Sequence, residues 1–145
     1  MKLISHRGNL EGPDLRYENN PVYVKDAMSA RFEVEIDVRS INGNYFLGHD
    51  EPNFCVKESF LENPSLWCHA KNGEALQRML QNQNIHCFWH QKDKYTVTSK
   101  GIVWVFPSEV LLKNSVCVLP ELGYNKLIKK CHGICSDYIV NWDEN

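Results

Sequence analysis

Apolar and polar residues alternate most regularly between residues 32 and 39, in the stretch Phe-Glu-Val-Glu-Ile-Asp-Val-Arg. Alternation with a period of two predicts a strand that places Glu33, Glu35 and Asp37 on one face and the intervening apolar residues on the other. Carboxylates at every second position repel one another, so such a row is a poor solvent-facing surface. Because hard cations take oxygen ligands, this strand predicts a metal site.

Seven further stretches have strand character, and several are apolar throughout, as expected for parallel strands buried on both faces. Together with the acidic strand they make eight predicted strands, which begin at Leu3, Phe32, Leu66, His86, Tyr95, Ile102, Val116 and Gly133. Helices are predicted after Asn20 and after Asn72, where an asparagine precedes apolar residues at helical spacing. An Asn-Gly pair at 42–43 predicts a hairpin turn after the acidic strand.

Eight strands predict an α/β fold, a compact, helix-poor (β/α)8 barrel of the TIM type with several crossover helices missing. The chain has 145 residues, whereas such a barrel usually takes about 250. Segments 99–101 and 107–115 are too short or too broken to contribute a covering helix. We therefore expect a single domain over residues 1–145 whose bare wall is covered in a homo-oligomer.

Charge narrows the range of partners. A net charge of -2 without a basic run gives no electrostatic support for binding nucleic acid or an anionic membrane. The first residues carry no apolar leader, and no run of apolar residues is long enough to span a membrane. We expect a cytoplasmic protein that has a small-molecule partner and no stable membrane attachment.

Titratable residues occur where the predicted strands end, which is where a parallel barrel carries its reactive groups. They are His6 and Arg7 on the first strand, Glu35 and Asp37 on the second, His69 and Lys71 on the third, His90 on the fourth and Asp137 on the last. Strand parity allows the second and third strands to present carboxylates, an imidazole and an ammonium to one cavity. Ligands for a cation, positive groups and histidines in one cavity predict an anionic substrate that contains phosphate.

Several short motifs follow one another along the chain. They are His6-Arg7-Gly8, Glu18-Asn19, Glu35-Ile36-Asp37-Val38 and His49-Asp50, with looser ones at His69-Ala70-Lys71 and at 133–137. In this order and with these gaps, they resemble the signature of the glycerophosphodiester phosphodiesterases. The resemblance implies a (β/α)8 barrel that hydrolyses small glycerophosphodiesters with a divalent cation, usually Mg²⁺ or Ca²⁺.

The resemblance also implies roles for individual residues. His6 and His49 would act as the general acid and base that flank the phosphorus. Arg7 would bind a phosphate oxygen, and Lys71 would neutralise phosphate charge. This division suits the chemistry, because a phosphodiester repels nucleophiles until its charge is offset.

The same resemblance makes Glu35 and Asp37 metal ligands, and places Glu18 near the metal or in contact with His6. At the third metal position the family has glutamate, whereas this chain has His69. A nitrogen ligand makes Mn²⁺, Co²⁺ or Zn²⁺ possible besides Mg²⁺ and Ca²⁺. The supporting candidates are Asp50, His90 and Asp137.

Structural explanations of these residues remain open at this point. Glu35 and Asp37 could form an ion-paired strand edge with neighbouring basic residues, and His69 could simply satisfy a carboxylate. Two alternative functions also remain: a catalytically silent module that binds phosphate esters, and a phospholipase of the sphingomyelinase D type.

Overall fold

The computed structural model describes residues 1–123 and 131–143, and ten strands of this part form one sheet. In chain order they are β1 (Lys2–His6), β2 (Glu33–Ile41), β3 (Asn44–Leu47), β4 (Phe54–Val56), β5 (Leu66–Ala70), β6 (Cys87–Trp89), β7 (Tyr95–Val97), β8 (Val103–Val105), β9 (Ser115–Val118) and β10 (Gly133–Ser136). The helices in the same part are α1 (Pro21–Ser29), α2 (Glu58–Leu61) and α3 (Gly73–Leu80), with 3₁₀ turns at Pro120–Leu122 and Ile139–Trp142.

Most of the sheet is parallel. Strands β6, β5, β2, β1, β10, β9 and β8 lie side by side in this order and run in one direction. The hairpin partner β3 pairs antiparallel with the C-terminal half of β2, β4 pairs with β3, and β7 runs antiparallel to β8. The sheet curls like half of a barrel. Two distances across it show the curl: the ring of Trp104 on β8 lies 5.8 Å from that of Trp67 on β5 and 4.6 Å from that of Phe88 on β6.

The prediction of a (β/α)8 barrel with missing helices is wrong. The described residues form a sheet-dominated, curled half-barrel with three short α-helices, and successive strands are not regularly separated by helices. Three antiparallel pairings account for the difference. The chain continues from β2 into β3 and β4 instead of crossing back, and the turn at 98–102 reverses it directly from β7 into β8. The predicted strand positions and the hairpin after the acidic strand are confirmed.

Two apolar layers hold the sheet in its curled shape. Inside the curl, Ile4, Trp67, Phe88 and Trp104 pack with apolar residues of β9 and β10. On the outer face, the buried apolar residues of β2 and β5 pack against α1 and α3. No helix in the described part of the chain is long and apolar enough to cross a membrane.

The cap of α3 also joins that helix to the sheet. Asn72 Oδ1 accepts hydrogen bonds from the Ala75 amide at 3.0 Å and from the Ser40 amide on β2 at 3.1 Å. Its Nδ2 donates to the Ser40 carbonyl at 2.8 Å. Asn20 caps α1 in the simpler way, by accepting one hydrogen bond from the Val22 amide at 2.9 Å.

Asn72→Ala should therefore destabilise the protein more than Asn20→Ala does. The first variant loses a cap and leaves buried backbone groups of Ser40 unpaired, which we expect to cost about 2–4 kcal/mol of the free energy of unfolding. The second loses only a cap, at about 1 kcal/mol. Urea unfolding of both variants measures the difference, and equal losses would contradict this role of Asn72.

Candidate metal and phosphate site

The predicted site residues meet at the edge of the sheet where the parallel strands end. In the strand register, His6 on β1 lies beside Glu35 on β2, and Asp37 on β2 lies beside His69 on β5. Asp137 follows directly after β10, whose Ser136 pairs with Ser5 on β1. Three adjacent strand pairs therefore bring together side chains that are far apart in the sequence.

The centre of the site consists of Glu35, Asp37 and His69. One ligand atom from each lies within 4.8 Å of the others, a spacing at which they could hold a metal ion. Both carboxylates are buried, with relative exposures of 1% and 0%. Within the described residues, Glu35 Oε2 and Asp37 Oδ1 have no hydrogen-bond partner, which is costly for buried charged oxygens.

The orientation of His69 fixes which nitrogen faces these acids. Its Nε2 lies 2.7 Å from the carbonyl oxygen of His90, and a carbonyl only accepts, so Nε2 carries the hydrogen. The Nδ1 atom faces Glu35 Oε1 at 3.4 Å and Asp37 Oδ1 at 3.6 Å. In the neutral ring this nitrogen has only a lone pair, which two carboxylates would repel. A proton or a cation is therefore needed between these three groups.

A divalent cation fits this donor set. Two carboxylates and an imidazole whose other nitrogen is fixed by a backbone carbonyl are a common arrangement of metal ligands. The imidazole also suits Mn²⁺, Co²⁺ or Zn²⁺ better than Ca²⁺, which prefers oxygen. Burial alone would raise the pKa of Glu35, but the interactions with His69, His6 and Arg7 lower it below its ordinary value and keep the carboxylate charged.

The two oxygens of Asp37 have different surroundings. Oδ2 accepts a hydrogen bond from Asn19 Nδ2 at 2.9 Å and lies 2.9 Å from Arg7 Nε. Asn19 also accepts a hydrogen bond from the Asp37 amide at 2.8 Å, so it holds both the side chain and the backbone of Asp37. The unpartnered Oδ1 faces His69, and Lys71 Nζ lies 3.8 Å from it.

His6 lies on the other side of Glu35, in surroundings that favour its protonated form. Its Nδ1 lies 2.7 Å from Asp137 Oδ1, and its Nε2 lies 3.8 Å from Glu35 Oε2. Burial alone would lower the pKa of His6, but the hydrogen bond to Asp137 and the charge of Glu35 raise it above its ordinary value. Burial would raise the pKa of Asp137, but its interactions with His6 and its hydrogen bond from Asn9 lower it. Both shifts favour the form in which an imidazolium pairs with a carboxylate.

The loop after β1 orders the remaining charged groups. Arg7 donates to Glu18 Oε2 at 3.1 Å, and Asn9 Nδ2 donates to Glu18 Oε1 at 3.0 Å and to Asp137 Oδ1 at 2.7 Å. Glu18 thus contacts Arg7, whereas the carboxylate that orients His6 is that of Asp137. The backbone of Arg7 is left-handed, with φ 56°, a conformation that is costly for non-glycine residues and persists where the surrounding structure enforces it.

His49 and Asp50 lie at the rim and not among the buried groups. The His49 side chain is 42% exposed, and its Nδ1 lies 2.8 Å from Asp50 Oδ1, which leaves Nε2 accessible. The turn is anchored by the Gly48 amide, which donates to the Asp37 carbonyl at 3.0 Å. A side chain at Gly48 would place its Cβ 1.8 Å from the Glu51 carbonyl oxygen, so this turn requires glycine.

His90 supports the site through its backbone. Its carbonyl fixes His69, while its own Nε2 lies 2.7 Å from the Asp93 carbonyl. Burial lowers the pKa of His90, and the Asp93 carbonyl offsets only part of this, so the ring favours its neutral form. His90 therefore holds His69 in place and does not itself face the acids.

Three site residues escaped sequence reasoning. Asn9 and Asn19 are buried amides that orient Asp137 and Asp37, and Glu121 accepts hydrogen bonds from the segment that carries Asp137. Asn19 was visible only as part of a motif, next to Glu18. Nothing in the local pattern distinguishes Asn9 or Glu121 from ordinary loop residues, because Asp137, which Asn9 contacts, lies 128 positions away, and the partners of Glu121 lie 15 and 16 positions away.

Comparisons with protein-family models, with curated proteins and with solved structures found no match to this chain. The functional interpretation therefore depends on the geometry of the site.

Proposed function

We propose that this protein is a metal-dependent hydrolase of small phosphodiesters, with glycerophosphodiesters as the first substrate class to test. The observation that carries the proposal is a pair of buried carboxylate oxygens without a hydrogen bond, Glu35 Oε2 and Asp37 Oδ1, in two carboxylates that each lie within 3.6 Å of His69 Nδ1. Next to these carboxylates lie the imidazole of His6 and the guanidinium of Arg7. Cation ligands beside positive groups suit a substrate whose reacting centre is a phosphate.

Glu35, Asp37 and His69 would hold the metal ion. When bound, a divalent cation neutralises phosphate charge and thereby makes the phosphorus open to attack. Arg7 and Lys71 add positive charge on the Asp37 side, where Lys71 is 18% exposed and can reach a ligand. Together these groups offset the repulsion that a phosphodiester presents to a nucleophile.

Two histidines provide the proton transfers. His49 Nε2 at the rim accepts the proton of the attacking water or substrate hydroxyl, while Asp50 fixes its Nδ1. The new bond forms between that oxygen and phosphorus as the bond from phosphorus to the leaving alcohol oxygen breaks. His6, held protonated by Asp137, donates its Nε2 proton to the leaving oxygen.

Binding of a metal ion should stabilise the folded protein. Mn²⁺ or Zn²⁺ should raise the melting temperature of the wild-type protein, and a metal present at 100 times its Kd should add about 2.7 kcal/mol of stability. Glu35→Gln should remove this gain, and His69→Glu should shift the preference towards Ca²⁺ and Mg²⁺. Glu109→Gln is the control, because Glu109 pairs with Lys94 outside the site. Equal gains in Glu35→Gln and the wild type would contradict the ligand assignment.

Replacing His6 should separate proton transfer from metal binding. His6→Ala should lower hydrolysis of bis(p-nitrophenyl) phosphate by about 10²- to 10⁴-fold, the range for a lost general acid or base, while the metal still stabilises the protein. His132→Gln is the control, since His132 precedes β10 at the opposite end of the strands. Phosphate-ester binding without turnover in the wild type under any metal would instead indicate a silent binding module.

The value of kcat/KM should depend on pH. Because His6 acts in its protonated form, kcat/KM should fall as pH rises through its pKa. Asp137 raises that pKa, so Asp137→Asn should move the alkaline limb of the profile to lower pH under the same metal. A rate profile of both proteins measures the shift. An unchanged or more alkaline limb would exclude His6 as the acid.

A further inference from the structure

We propose that Glu121 is a positioning residue that holds Asp137 in place against His6. The inference rests on the proposed function for its catalytic meaning, but the contact itself is a matter of geometry. Glu121 Oε1 accepts a hydrogen bond from the Asp137 amide at 2.9 Å. Its Oε2 accepts from Ser136 Oγ at 3.0 Å. The carboxylate thus fixes the two residues at which β10 ends and the site begins.

The segment from Ser136 to Tyr138 depends on these contacts. Ser136 is fully buried, and its Oγ also accepts a hydrogen bond from the Tyr138 amide at 2.9 Å. Asp137 is the first residue after the strand, so its amide has left the ladder that orders β10. The hydrogen bond to Glu121 holds the Asp137 backbone in place where the strand pairing has ended. Asp137 Oδ1 is thereby directed towards His6 and Asn9.

A strained turn directs Glu121 itself. Leu119 has φ 47° and ψ 59°, a left-handed conformation that is unfavourable for leucine and more so before a proline. Its amide donates to the Cys135 carbonyl on β10 at 2.7 Å, and Pro120 is buried. Strain of this kind persists where the surrounding structure enforces it, and it is concentrated at functional sites. The turn brings Glu121 back to the end of β10.

A residue that only stabilises the fold and a residue that positions another side chain have different effects when they are replaced. If Glu121 only fastened the turn, its loss would lower stability and leave the bond between His6 and Asp137 as it was. If Glu121 positions Asp137, its loss loosens that bond even in protein that remains folded. Glutamine can still accept from the Asp137 amide, whereas alanine cannot and aspartate is too short to reach both donors.

The experiment compares the full-length wild type with Glu121→Ala, Glu121→Asp and Glu121→Gln, and with Glu109→Gln as the control. The first readout is the ¹H resonance of the His6 Nδ1 proton in metal-free protein, identified by its loss in Asp137→Asn. We expect faster solvent exchange of this proton in the alanine and aspartate variants, and wild-type behaviour in the glutamine and control variants. The aspartate variant decides the question if the alanine variant does not fold.

The second readout is hydrolysis with Mn²⁺. The alanine and aspartate variants should lose about two- to tenfold in kcat, the range set by one hydrogen bond of ordinary net strength, with KM unchanged. An unchanged His6 proton in both variants would overturn the proposal, as would a glutamine variant as impaired as the alanine variant, which would indicate charge alone. If no protein hydrolyses a diester but the proton responds as expected, the positioning role stands and the proposed function fails.

Discussion

Two buried carboxylates with too few partners govern this molecule. Taking Glu35 and Asp37 out of water is unfavourable unless hydrogen bonds and opposite charges compensate. The protein supplies part of that compensation through Asn19 and Arg7, which engage one oxygen of Asp37. It leaves Asp37 Oδ1 and Glu35 Oε2 without a hydrogen bond, and His69 Nδ1 lies 3.6 Å from Asp37 Oδ1 and 3.4 Å from the other oxygen of Glu35. A divalent cation in that space would convert the repulsion into coordination.

The curled sheet makes this arrangement possible. In-register parallel strands place His6, Glu35, Asp37 and His69 side by side, while the aromatic core below them excludes water from one side. Helices α1 and α3 cover the outer face of the same strands, so the strand ends are held from both faces. Hydrogen bonds continue from His6 through Asp137 and Asn9 to Glu18. Glu18 in turn accepts a hydrogen bond from Arg7, so His6 and Arg7 belong to one polar network.

Period-two alternation in β2 predicted which face each residue would occupy, since strand geometry alone decides that parity. The C-terminal position of His6, His69 and Asp137 on their strands followed from the same reasoning. The overall fold did not follow, because strand count does not determine strand direction: the tight turn before β8 and the β3–β4 hairpin replaced crossovers. The role of Asn9 also escaped, because its partners are set by folding and not by neighbours in the sequence.

Anomalous scattering from a crystal of the protein soaked with Mn²⁺ shows whether Glu35, Asp37 and His69 hold a metal ion. We expect one strong peak about 2.0–2.3 Å from a carboxylate oxygen of Glu35, Asp37 Oδ1 and His69 Nδ1, at ordinary metal–ligand distances. A site without a peak, in which His69 Nδ1 instead carries a proton shared with a carboxylate, would contradict this expectation.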